Sequence, residues 1–200
     1  MGQNNALVND CVGLLGQGIE LLENLDEDLY TRTEGLHSRS GVGVHFRHCI
    51  DFVNCLLAGI ETGFVDYNQR ARDENAERFP SFAIEKMRSA ITALESLSNR
   101  KSDDPLFVSL EGNQNDSGVY SWCKSTVLRE LQFMQSHLTH HYALIALMLR
   151  MQGVEPGYEF GVTPSTLTYW RSRKLVTVNE SLLTEDTHPL AVSVFSISAA

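Results

Sequence analysis

Five of the seven histidines fall in two short windows, "VHFRHCIDF" (residues 44–52) and "QSHLTHHYALI" (residues 135–145). An imidazole inside a core costs free energy unless both ring nitrogens find partners. A lone histidine on an apolar face is ordinarily a hydrogen-bonded core residue, whereas five in two core-facing windows favour a shared ion. His137 and His141 are four residues apart, so on a helix they project within about 40° of each other, one turn along. Two imidazoles at that spacing can hold one transition metal, as in HExxH motifs. His140 lies about 100° away, towards a flank. A third ligand has to come from the first window. There His48 shares a stripe with Val44, Phe52 and Cys55, and His45 shares one with Cys49, Phe52 and Leu56, so periodicity leaves both open. Asp51, one turn beyond His48, is placed to orient a ligand or substrate as an acceptor behind the metal.

Glu130 precedes His137 by seven residues and falls within about 20° of the same line, two turns up. It is a candidate general base, with an ion pair to a basic residue such as Arg47 as the alternative. Three imidazoles suit Zn and Ni foremost and Fe, Mn or Cu as well, and supply chooses among them.

The elements that must hold these residues are helical. Leu7, Val8, Cys11, Leu14, Leu15, Ile19 and Leu22 recur at spacings of three and four over residues 4–25. A second helix is predicted from Val42 to Thr62 with Ser40 as its cap, and a third from Ser81 to about Ser98. The fourth and longest begins after Ser125 or Thr126 and stops at Gly153. Its line Val127, Glu130, Met134, His137, His141, Leu144, Met148 is predicted to be the core-facing seam. The charged "DYNQRARDENAER" reads as a turn, and "LFVSL" as a strand or hairpin arm. The resulting fold class is all-α: a four-helix bundle with a long connection between helices 3 and 4. A short C-terminal helix follows in "VTPSTLTYWRSRK", with Thr163 as cap and Pro164 at its first position. The alternating "LAVSVFSIS" suggests an extended or partner-binding tail.

Two hundred residues with 42% hydrophobic content suffice for one substantial core. The net charge of -9 argues against a nucleic-acid partner, and the basic cluster Arg171, Arg173, Lys174 reads as a solvated helix end. The N-terminus lacks a charged signal region, Ala6 breaks the myristoylation pattern, and no apolar run reaches the ~20 residues of a membrane span. Four cysteines without a CxxC read as reduced thiols, so a cytoplasmic location is expected.

"GVGVHFRHCIDF" and "RELQFMQSHLTHHYALIALMLRMQG", followed by "FGVTPSTLTYWR", resemble the DinB-like (YfiT-type) metal-binding four-helix-bundle superfamily. The likeness covers about residues 5–174, which makes 1–174 the expected domain and 175–200 an extension. It implies a metal held by His48, His137 and His141, His48 matching the second His of the family's "HLxH" motif. It further implies open coordination positions, thiol-dependent transfer or hydrolysis at the metal, a small-molecule thiol or electrophile as substrate, and a homodimer. A non-catalytic stress-related or interaction protein, whose metal or histidine cluster is structural, is the contrasting expectation.

Overall fold

The computed structural model describes residues 3–33, 40–97, 103–109 and 121–182. They divide into two compact units, the first ending at Thr163 and the second beginning at Pro164. The first unit is mostly helical. Its long helices are α1 (Gln3–Asn24), α3 (Val42–Thr62), α5 (Pro80–Ser96) and α6 (Val127–Met151), and α1 and α3 each pack against both α5 and α6. The apolar spacing that predicts these helices also builds the core, where Leu15, Phe46, Val53, Leu56, Met87, Leu94, Leu131, Leu138 and Ile145 are all solvent-free.

The helix ends follow local chemistry. Thr126 caps α6, its Oγ1 accepting from the Arg129 amide at 3.3 Å. Past the other end Gly153 takes a left-handed φ of 81°, which a side chain would resist. The cap of α3 is Gly41 and not Ser40, and it supplies no side-chain acceptor. A Cβ at residue 41 would lie 3.0 Å from the Arg32 carbonyl, so close backbone approach accounts for the glycine. Pro80 lies inside α5 at its start, where its missing N–H costs nothing.

Two short helices occupy stretches that read as connectors, α2 (Glu27–Thr31) and α4 (Glu74–Arg78). Five residues make little more than one turn, too few for a period to show. Each is started by an aspartate: Asp26 accepts from the Asp28 amide and Asp73 from the Asn75 amide. The Tyr30 hydroxyl donates to the Ala76 carbonyl and ties the two together.

A small three-stranded sheet adds to the all-α expectation, in which "LFVSL" is the one strand. Strands β1 (Phe64–Asp66), β2 (Pro105–Ser109) and β3 (Cys123–Thr126) lie in that order, β1 parallel to β2 and β2 antiparallel to β3. Phe64 pairs with Phe107 and Leu106 with Ser125. The predicted "LFVSL" strand is thus the middle of three, inside the long connection between α5 and α6.

In the second unit, α7 (Pro164–Leu182) has Pro164 at its first position, as expected, and runs past residue 174 to Leu182. The alternating "LAVSVFSIS" lies outside the described residues. No helix among those described is long and apolar enough to cross a membrane.

Candidate metal centre

Helices α3 and α6 meet through buried aromatic residues that fix their register. The rings of Phe46 and Tyr142, both inaccessible to solvent, have centroids 5.6 Å apart. The neighbouring residues His45 and His141 then face each other, with Nδ1 to Nδ1 at 2.9 Å. One turn further, His48 and His137 do the same, with Nε2 to Nε2 at 3.0 Å. Increasing number on α3 is matched by decreasing number on α6, so the two helices run antiparallel here.

His48, His137 and His141 each offer one ligand atom, and the three atoms lie within 4.8 Å of one another. The ring of His141 sits 4.5 Å from that of His48 and 4.6 Å from that of His137. Two nitrogens bonded to one ion at about 2.1 Å stand about 3.0 Å apart at a right angle and about 3.4 Å apart in a tetrahedron. The 3.0 Å Nε2 pair therefore fits a shared ion.

All the facing imidazoles are held neutral. Burial, followed by the charge of His137, Arg70, Arg47 and His45, pushes His48 down to about 3. Burial, then His140 and Arg70, takes His137 to about 4. Burial and the charges of His48, His137, His45 and His140 take His141 to about 3. His45 is lowered in the same direction, burial again leading. A neutral imidazole keeps a lone pair for a metal, so near pH 7 no proton has to be displaced from these rings.

His45 and His48, between which periodicity cannot choose, both belong to the cluster. His48 is one of the three potential ligands, and His45 touches Nδ1 of His141 from behind, as outer partners of metal-ligating histidines do. The buried Nε2 of His45 has no hydrogen-bond partner. His140 is exposed and meets His141 only edge-on, with ring centroids 5.2 Å apart.

Val127, Glu130, Met134 and Met148 of the predicted seam are buried, but its middle, where the cluster lies, is not. Leu131, Leu138, Tyr142, Ile145 and Leu149 form the solvent-free centre line of α6, while His137, His141 and Leu144 are half-buried along its margin. Apolar residues wrap so much of this helix that more than one series at spacings of three and four can be drawn through it.

Glu130 and Asp51 are buried but committed elsewhere. The Glu130 carboxylate accepts from the Tyr67 hydroxyl at 3.0 Å, from the Ser125 hydroxyl at 2.6 Å and from Arg129 Nη1 at 3.2 Å. Along the helix it stands about 10 Å from His137. Between them Phe52 stacks on Tyr67 at 4.9 Å and on His137 at 4.1 Å, and Phe133 adds a third ring. Its ionic partner is Arg129 and not Arg47. Asp51 accepts from Arg47 Nη1 at 3.2 Å, and the same guanidinium reaches Glu77 at 3.4 Å. The structure thus brings the three histidines together and leaves both carboxylates on separate networks.

One neighbour carries no periodic signal at all. Arg70, in the irregular segment after β1, lies over the Phe52 ring with its guanidinium carbon 5.2 Å from the centroid.

No protein-family model matches the chain, and no solved structure matches it. It is similar to a protein named FK506-binding protein 5 from Rhizopus delemar, at 28% identity over 161 residues, covering 79% of this chain. The matched stretch takes in 36% of that fungal protein, so the chain spans little more than a third of its relative's length.

Proposed function

We propose that the chain is a divalent-metal-binding protein of the DinB-like kind, with α1, α3, α5 and α6 as its four-helix bundle. His48, His137 and His141 would hold one ion, Zn or Ni foremost and Fe or Mn as further candidates. The reaction class that suits such a site is thiol-dependent transfer or hydrolysis, on a small-molecule thiol or electrophile. A homodimer follows from the same resemblance.

One observation carries this reading: three neutral, half-buried imidazoles from two distant parts of the chain converge within 4.8 Å. Three protein ligands leave positions open, the mark that separates catalytic from closed structural sites. A divalent ion there supplies Lewis acidity towards a water or a thiol. The chain's own residues do the rest. His45 steadies His141 through Nδ1, and Phe52 packs against His48 and His137 at ring distances of 4.6 and 4.1 Å. Glu130 and Asp51 are assigned no part in proton transfer, because donors already occupy them.

The experiment is elemental analysis of protein purified without a histidine tag, followed by reconstitution and a thiol-conjugation assay with an electrophile such as monochlorobimane. A single divalent ion per chain, lost in His137→Ala together with conjugation, is the expected result. A second reading is favoured by the facing nitrogens themselves, since at 2.9 and 3.0 Å the imidazoles can hydrogen-bond in pairs. A non-catalytic protein with a structural histidine cluster would then purify metal-free and bind no divalent cation.

A further inference from the structure

The segment after β1 is held in place along most of its length. The buried Tyr67 hydroxyl is anchored on Glu130. Asn68 is tied twice to Asp66 and once to the solvent-free Ser109 hydroxyl. The Gln69 carbonyl accepts from the Cys55 thiol of α3 at 3.9 Å. Arg72 then adopts a φ of 50°, a left-handed conformation that non-glycine residues rarely take, and such strain gathers at functional sites. Between the ties and the strained residue stands Arg70. It is laid over Phe52, the ring that packs on both His48 and His137.

From this placement we infer that Arg70 reads an anionic group on the small molecule that enters the metal centre, and that the substrate class is a small carboxylate-bearing compound. A guanidinium carries five N–H donors in a planar fork that matches a carboxylate, so it can serve a ligand while keeping a protein neighbour. Its charge is felt at the site, since Arg70 helps to keep both His48 and His137 neutral. In a chain of net charge -9, a cation pinned beside the histidines is a local reversal that opposes general repulsion of anions.

The inference rests on the metal reading, and one titration separates the two. The full-length protein, loaded with Co(II) as a visible probe, is titrated with mercaptoacetate and with the neutral 2-mercaptoethanol while the Co(II) absorption bands are followed. The wild type is expected to bind mercaptoacetate about tenfold or more tightly than the neutral thiol, in keeping with a charge-assisted hydrogen bond. In Arg70→Met the preference should vanish while the affinity for 2-mercaptoethanol stays, and Arg70→Lys should retain part of it. Circular dichroism checks that each variant is folded. An equal preference in Arg70→Met, or none in the wild type, overturns the role of Arg70 and leaves the metal site standing. Failure of Co(II) to bind at all overturns the metal reading, and this inference with it.

Discussion

Replacing Tyr67 by Phe removes one oxygen from a buried network and nothing else. The hydroxyl donates at 3.0 Å to Glu130 Oε2, on a carboxylate that is 1% exposed. Ser125 and Arg129 both donate to the other oxygen, Oε1, so the substitution leaves Oε2 without its donor in a dry setting. Hydrogen bonds to charged groups contribute about 1.5–3 kcal/mol, and a buried acceptor left unmade costs on the same scale. For a chain of this length that loss lowers the melting temperature by about 3–12 °C. Differential scanning calorimetry of Tyr67→Phe, Glu130→Gln and the double variant measures both the loss and the coupling between the two residues. The double variant should lose clearly less than the sum of the singles. Metal content should be unchanged in all three, because the aromatic wall of Phe52 and Phe133 separates Glu130 from the histidines. A Tyr67→Phe protein that melts with the wild type, or one that sheds its metal, would refute the assignment of Glu130 to the fold.

Zinc added at about a hundredfold excess over its Kd should stabilise the wild type by about 2.7 kcal/mol. That gain should disappear in His48→Ala, His137→Ala and His141→Ala but survive in the exposed His140→Ala, as read by thermal melting. The metal-free protein should lose stability as pH falls from about 6.5 towards 4. Burial depresses His48, His137 and His141 in the folded state to about 3 to 4, so below 6.5 the unfolded chain binds more protons; above 6.5 these groups should give no slope. Gly59→Ala should destabilise by about 1–3 kcal/mol despite alanine's better helix propensity, since its Cβ would stand 2.6 Å from the Val65 Cα; urea denaturation reads the sign. Native alkylation should label the exposed Cys123 first. Cys11, buried and pushed up to about 12, and the fully buried Cys49 should react only on unfolding, which mass spectrometry resolves.

The sequence reveals what repeats and hides what does not. Helices α1, α3, α5 and α6 each run for 17 residues or more, long enough for apolar spacing to declare them. Strand β1, with three residues, and β3, with the polar "CKST", offer neither length nor alternation. Within the site, His137 and His141 are legible because one helix turn relates them. His45 and His48 are not separable, because residues three apart share a helix face and the partner helix approaches both. The sequence pattern puts Glu130 near His137, yet it cannot show the aromatic rings that come between them. Arg70 lies in an irregular segment, where direction is set by Asp66, Asn68 and Cys55 and not by a period.

Because Phe46 and Tyr142 are the immediate neighbours of His45 and His141, the ring pair that locks the two helices also sets the spacing of the imidazoles. Sliding α3 past α6 by a turn to accommodate a larger ion would pull that aromatic contact out of the centre of the molecule. Were an ion held there, its identity would be changed by exchanging donor atoms far more cheaply than by re-spacing the scaffold.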